Sequence, residues 1–139
     1  MNIIVDTGFW IALYNPEKHI ELQDDIDTIL NFIEDKNIII PFPTLYEFLN
    51  SKFSRKKYVE QFRRLILKPN YMKLDDTIYR MTALESFFNN AVERNNDVSF
   101  VDEVIKEVII GKLIRIDYLV SFDAGLNNFA KARGIETYI

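Results

Sequence analysis

The stretch Ile3-Ile4-Val5-Asp6-Thr7-Gly8-Phe9-Trp10-Ile11-Ala12-Leu13 decides the reading of the whole chain. Three consecutive β-branched aliphatic residues make a run of strand length with no polar alternation, the pattern of a strand covered on both faces. Asp6-Thr7-Gly8 ends that run in a turn, and residues 9–14 then read as a short helix stopped near Asn15-Pro16. A strand covered on both faces needs helices above and below its sheet, which strand–helix–strand crossovers supply.

Working outward, the same alternation recurs. Residues 20–36 carry Leu22, Ile26, Ile29, Leu30 and Ile33 at three- and four-residue steps, an amphipathic helix with Asp24, Asp25 and Asp27 on its wet side. Ile38-Ile39-Ile40, closed by Pro41, is a second strand. Pro43-Thr44 opens a helix through Leu45, Phe48 and Leu49, and another through Tyr58, Phe62, Leu65 and Ile66 ends before Pro69. Residues 71–74 form a weaker strand. Asp75-Asp76 starts a long helix expected to turn Ile78, Met81, Leu84, Phe88 and Ala91 inward, and Ser99 starts one with Val101, Val104, Ile105 and Val108 inward. A strand at 118–122, a helix at 123–133 closed by Gly134, and a last strand at 136–139 complete the chain. The expected fold class is α/β, with three α/β/α layers around a central, mainly parallel sheet, in a single domain over residues 1–139.

Composition narrows the function classes. With 139 residues, 48% of them hydrophobic, the chain is long enough to bury a core of its own. The absence of cysteine removes disulfides, zinc–thiolate sites and thiol nucleophiles, and the single histidine, His19, makes histidine chemistry a poor basis for catalysis. No apolar run approaches the roughly 20 residues needed to span a bilayer, and residues 1–5 lack a basic leader, so a cytoplasmic protein is expected. A net charge of -4 means that any nucleic-acid contact must use a local patch.

Four carboxylates stand out. Asp6 and Asp123 follow the expected strands at 3–5 and 118–122, while Glu47 in Thr44-Leu-Tyr-Glu and Asp102 in Ser99-Phe-Val-Asp lie near helix starts in apolar surroundings. In a parallel sheet, ligands bind at the carboxyl ends of the strands near the switch point in strand order, an edge all four can reach. Gathered carboxylates raise one another's pKa, and a hard divalent cation offsets the repulsion. Mg²⁺ or Mn²⁺ there lowers the pKa of a bound water and steadies charge on a phosphoryl oxygen, so a phosphodiester can be cleaved without histidine or cysteine. Each carboxylate also has a plainer role: Asp6 and Asp123 as N-caps, Glu47 and Asp102 as the acidic partners of capping boxes.

The string from Ile4 to Leu13 resembles the opening motif of PIN-domain proteins, the family that includes the toxin ribonucleases of VapBC-type toxin–antitoxin pairs. The family's acidic positions match in order: Asp6 in the opening motif, Glu47 in the helix after the second strand, Asp102 in Ser99-Phe-Val-Asp, and Asp123 in Ser121-Phe-Asp. The resemblance implies a PIN-like three-layer fold and Mg²⁺- or Mn²⁺-dependent endonucleolytic cleavage of RNA. It implies that Asp6, Glu47 and Asp102 hold the metal, that Asp123 adds a direct or water-mediated contact, and that Thr7 and Ser121 orient ligands or bind phosphate. It further implies an antitoxin that masks the site, and a homodimer. Two departures are visible: Gly8 stands where many relatives carry Ser, and Ala124-Gly125-Leu126-Asn127 replaces the acidic-plus-Phe ending common in the family. Asn127, one helical turn beyond Asp123, is expected as a surface amide, with an oxygen ligand as the alternative. These departures keep open a PIN-like binding module for RNA or protein that has lost catalysis.

Lys52, Arg55, Lys56, Lys57, Arg63, Arg64 and Lys68 form a basic stretch interrupted only by Glu60 and interleaved with Phe53 and Tyr58. It reads either as a track for an RNA backbone or as the solvated face of a helix. An acyl-phosphate mechanism on Asp6 is disfavoured because the second aspartate of the haloacid-dehalogenase pattern would fall at Gly8. Dinucleotide binding is disfavoured because no glycine-rich turn follows the first strand.

Overall fold

The two aliphatic triplets lie side by side. In the computed structural model, which describes residues 1–50, 57–94, 99–111 and 113–139, β1 (Asn2–Val5) pairs in parallel with β2 (Asn37–Pro41), with Ile3 opposite Ile38 and Ile4 opposite Ile39. β3 (Tyr71–Leu74), β4 (Tyr118–Val120) and β5 (Glu136–Thr137) complete a sheet of order β3-β2-β1-β4-β5, parallel at every pairing. Pro41 ends β2 opposite Leu74, where its missing N–H costs the ladder little.

Side chains alternate across this sheet with the strand period of two. Ile3, Val5, Ile38, Ile40 and Val120 enter one core, shared with helices α1 (Thr7–Leu13), α2 (Gln23–Ile33), α3 (Phe42–Leu49) and α4 (Lys57–Ile66). Ile4, Ile39 and Leu119 enter a second core on the other face, shared with α5 (Thr77–Arg94), α6 (Phe100–Gly111) and α7 (Ala124–Lys131). The result is three α/β/α layers. Ile3, Ile4, Ile38, Ile39 and Ile40 have no exposed surface, and each such side chain contributes about 1.5–3 kcal/mol of burial.

The first core is aromatic where α1, α3 and α4 meet. Phe62 of α4 packs at 4.4 Å from Phe48, 5.5 Å from Trp10 and 6.1 Å from Tyr14. Such ring pairs add about 0.5–1.5 kcal/mol each beyond area burial. They anchor α4, a helix whose other faces carry Lys and Arg.

One expectation fails on α5. Ile78, Met81 and Phe88 are 63%, 71% and 56% exposed, and Leu84 lies at the surface too, whereas Tyr79 and Ala83 are buried. Apolar residues occur nearly all round this helix, so hydrophobicity alone does not choose its inner face. Close approach does: Tyr79 lies over Gly111 of α6, where a β-carbon would meet its ring at 2.6 Å. Two 3₁₀ turns, Pro16–Lys18 and Ile20–Leu22, precede α2, which therefore starts later than its apolar periodicity suggests. At the other end of the chain, Gly134 takes φ +76°, a left-handed turn that lets α7 stop and β5 begin. Among the described residues no helix is long and apolar enough to cross a membrane.

Candidate acidic site

The chain leaves β1 for β2 on one side of the sheet and returns to β4 on the other, so the switch point lies between the carboxyl ends of β1 and β4. Asp6 follows β1 and Asp123 follows β4 after Ser121-Phe122. The register that sets Val5 opposite Val120 also sets Asp6 beside Ser121. The Asp6 N–H donates to the Val120 carbonyl at 2.9 Å, tying the two strand ends together.

Asp6 is the floor of the site, 9% exposed. Its Oδ1 accepts the Thr7 N–H at 2.8 Å and its Oδ2 accepts the Ser121 hydroxyl at 3.1 Å. Burial raises its pKa, those two bonds pull it back, and Glu47 and Asp123 push it up again. The Ser121 hydroxyl also accepts the Asp123 N–H at 3.0 Å, so one small side chain fixes both aspartates.

Asp123 caps α7, its Oδ1 accepting the Leu126 N–H at 2.7 Å, and it is exposed at the rim. The N-cap roles expected for Asp6 and Asp123 are thus both real. They do not compete with a shared site, because each carboxylate keeps an oxygen that no N–H of its own helix takes.

Glu47 and Asp102 come from opposite faces of the sheet. α3 follows β2 directly, α6 packs on the other face, and the two helices touch beyond the strand ends. Asp102 is half-buried, and its pKa is pushed up to about 6, first by burial and then by Asp6 and Asp123, against smaller opposing effects of the Ser99 hydroxyl and Lys106. Glu47 is more open to solvent. Its pKa is raised by burial and by Asp102, and lowered by the Thr7 hydroxyl, which forms no hydrogen bond of regular geometry. Ser99 caps α6 by accepting the Asp102 N–H at 3.1 Å. The capping-box alternative for Glu47 does not apply: α3 starts at Phe42, its N-cap position is Pro41, and Thr44 is buried inside the helix.

All four carboxylates therefore sit at one edge of the sheet, and the pKa values of Asp6, Glu47 and Asp102 are each raised in part by another of the set. They do not form a closed cage. Among the described residues no three His, Cys, Asp or Glu side chains stand close enough to share an ion as placed.

Asn127 is not the surface amide expected. It is 3% exposed, its Nδ2 donates to the Ser121 carbonyl at 2.9 Å, and its Oδ1 is buried without a partner. Its position one helical turn beyond Asp123, on the face α7 turns to the sheet, was the signal available. Asp76, expected as a helix start, has no exposed surface. It pairs with Arg80 at 3.2 Å, its pKa is raised chiefly by burial, and its charged neighbours are Arg80 and Asp75.

Of the basic stretch, Lys52, Arg55 and Lys56 lie outside the described residues, and Lys57 enters only as the first residue of α4. Arg63 and Arg64 are exposed and both pair with Glu60, at 3.3 and 3.4 Å.

No family model matches the chain, and no curated protein matches it significantly. Among solved structures, the crystal structure of VapBC2 from Rickettsia felis bound to a DNA fragment from their promoter contains a similar chain. The TM-score is 0.61 at 14% identity, covering 99% of this chain and 97% of that chain. At that identity the likeness speaks for the fold alone. The chain has a PIN-like, three-layer α/β/α fold built on a five-stranded parallel sheet.

Proposed function

We propose that this chain is a metal-dependent endoribonuclease that hydrolyses RNA phosphodiester bonds, with Asp6, Glu47, Asp102 and Asp123 holding Mg²⁺ or Mn²⁺, and that it serves as the toxin of a toxin–antitoxin pair. The observation that carries this reading is the mutual charge of four carboxylates drawn from four separate elements. Asp6 and Asp123 both raise Asp102, and Asp102 raises Glu47.

Such an edge is costly by itself and repels a polyanion. A divalent cation reverses both effects, since it offsets the carboxylate repulsion and inverts the local field toward phosphate. The donors fit a hard cation: all are oxygens, and a further buried oxygen, Asn127 Oδ1, has no partner among the described residues. When bound, the cation supplies Lewis acidity toward the phosphodiester and lowers the pKa of a coordinated water. The chain's own contribution is placement. Thr7 N–H and Ser121 Oγ fix the rotamer of Asp6, and Ser121 and Leu126 N–H fix Asp123. The exposed Arg63, with Lys52, Arg55, Lys56 and Lys57 before it in sequence, is the basic stretch proposed to follow the RNA backbone.

The test is cleavage of RNA by the purified chain. Cleavage is expected only with Mg²⁺ or Mn²⁺, to stop with EDTA, and to fall by orders of magnitude in Asp6→Asn and Asp102→Asn. Unchanged cleavage in both variants rejects the reading.

A second reading has its own support. Among the described residues no three of the carboxylates stand close enough to share an ion, and the residues after Asp123 are Ala124-Gly125. These favour a PIN-like module that binds RNA or protein without cleaving. Mn²⁺ binding by the unmodified chain that Asp6→Asn abolishes argues against it.

Two partners belong to the proposal. An antitoxin can mask the acidic edge with an arginine aimed at the carboxylates. A second copy of this chain is the other, supported by the exposed apolar side chains Ile78, Met81 and Phe88 on α5. A cytoplasmic location completes the reading.

A further inference from the structure

At the amino ends of the strands, opposite the acidic edge, two adjoining hollows of about 580 and 480 Å³ share Arg115, Ile116, Arg133 and Ile135. The larger is polar, with Asp117 and Glu136 in its wall. The smaller is a groove of five isoleucines, Ile110 and Ile114 among them, whose charged residues among those described are Arg115 and Arg133. Ile110 is 43% exposed there.

Each guanidinium has one contact, and its terminal N–H groups have no partner among the described residues. Arg115 gives its Nε to Asp117 Oδ1 at 2.8 Å, and Asp117 is itself fixed because its Oδ2 accepts the Asn2 N–H at 2.8 Å. The terminal nitrogens of Arg115 have no partner among the described residues, and the side chain is 88% exposed. The Arg133 guanidinium carbon lies over the Phe129 ring, 3.7 Å from its centroid. It makes no ion pair and no side-chain hydrogen bond among the described residues. A guanidinium already oriented by a ring or by its Nε loses little entropy when its remaining N–H groups take a carboxylate, and it takes one bidentately.

We propose that this groove docks an acidic, apolar peptide segment of a partner protein, with carboxylates on Arg115 and Arg133 and leucine- or isoleucine-like side chains among the isoleucines. Charge complementarity selects that occupant: among the described residues the isoleucine groove is lined by two cations and no acid, Asp117 and Glu136 lying in the wall of the adjoining hollow. Both hollows open to solvent, which suits an extended segment. The adjoining hollow is lined by Met1 and Asp117, before β1 and β4, whereas the carboxylates follow those strands. Binding here therefore leaves the acidic edge uncovered, and the proposal does not depend on the nuclease reading.

The test uses the full chain and two fluorescein-labelled peptides, one alternating leucine and glutamate, the other with glutamine for every glutamate. Anisotropy and amide chemical-shift mapping are read at low and at moderate salt. The glutamate peptide is expected to bind, with shifts confined to residues 109–116 and 133–136. Binding should weaken about tenfold in Arg115→Gln and in Arg133→Gln, weaken with salt, and weaken in Ile110→Glu. Each variant is checked for an unchanged melting temperature, and Arg115→Lys serves as a second variant that keeps charge but loses the fork. The proposal is overturned by absence of binding, by equal binding of the glutamine peptide, or by shifts elsewhere. A chain that self-associates through this groove, as a dimer lost in Ile110→Glu, also overturns it.

Discussion

Ser121 Oγ donates to Asp6 Oδ2 at 3.1 Å, joining residues 115 positions apart, and accepts the Asp123 N–H at 3.0 Å with the same oxygen. A hydroxyl has one proton to give and lone pairs to receive, so a single serine serves both aspartates. It sits where β1 and β4 part, the one place in this sheet where a ligand can reach the ends of both strands.

Removing that hydroxyl tests the bridge. Ser121→Ala takes away a hydrogen bond that lowers the Asp6 pKa, leaving the burial effect less opposed. Mn²⁺ affinity at neutral pH is expected to fall about 10- to 100-fold, as for other groups that orient metal ligands. The loss should be larger at acid pH, where protons compete with the cation for Asp6, than at neutral pH. A pH-independent loss would point to misfolding instead.

Asp102 gives the chain without metal a distinctive pH dependence. Its folded pKa, about 6, lies above that of an unfolded aspartate, about 3.9. The folded state therefore binds the proton more tightly. The group's stability contribution is full below pH about 4 and lost as pH rises through 6. The full shift corresponds to about 3 kcal/mol, and partial exposure of the carboxylate reduces that to roughly 1–2 kcal/mol. Asp102→Asn is expected to be more stable than the unmodified chain at pH 7.5 in EDTA and no more stable at pH 4. Urea titrations at the two pH values measure this, and Mn²⁺ should erase the difference by stabilising only the unmodified chain.

The aromatic anchor of α4 carries a stability prediction. Phe62 is 1% exposed and packs on Trp10, Tyr14 and Phe48. Phe62→Ala should cost about 3–5 kcal/mol by equilibrium denaturation. Arg63→Ala, which removes only an exposed pair with Glu60, should cost less than about 0.5 kcal/mol. If Arg63 follows RNA, its loss appears in substrate affinity and in salt dependence instead.

The outward face of α5 bears on assembly. Met81 is 71% exposed on a helix whose apolar residues Ile78 and Phe88 are exposed as well. Sedimentation of the unmodified chain is expected to show a dimer and that of Met81→Glu a monomer, with melting unchanged at low concentration.

How much of this was legible in the sequence follows from the physics of each element. The triplets Ile3-Ile4-Val5 and Ile38-Ile39-Ile40 announced themselves, because only a strand covered on both faces tolerates unbroken aliphatic runs. The ends of α6 and α7 followed from Ser99 and Gly134, residues chosen by backbone geometry. The inner face of α5 did not follow. Ile78 and Met81 are as apolar as Tyr79 and Ala83, and the choice rests on Gly111 of another helix admitting the Tyr79 ring. The burial of Asn127 was hidden because an amide looks polar until its partner, here the Ser121 carbonyl six residues back, is in view. For the acidic edge, spacing to the strand ends brought Asp6 and Asp123 together. Glu47 and Asp102 reach it only because α3 and α6, on opposite faces of the sheet, meet beyond the strands. Their separations without a cation could not be read from residue order at all.

The most direct measurement is a calorimetric titration of Mn²⁺ into the purified chain at neutral pH, in parallel with Asp6→Asn and Asp102→Asn. Saturable binding to the unmodified chain, released by EDTA and lost in both variants, is the expected result. Heats indistinguishable among the three proteins, or no binding to any, would contradict a cation site built from these carboxylates.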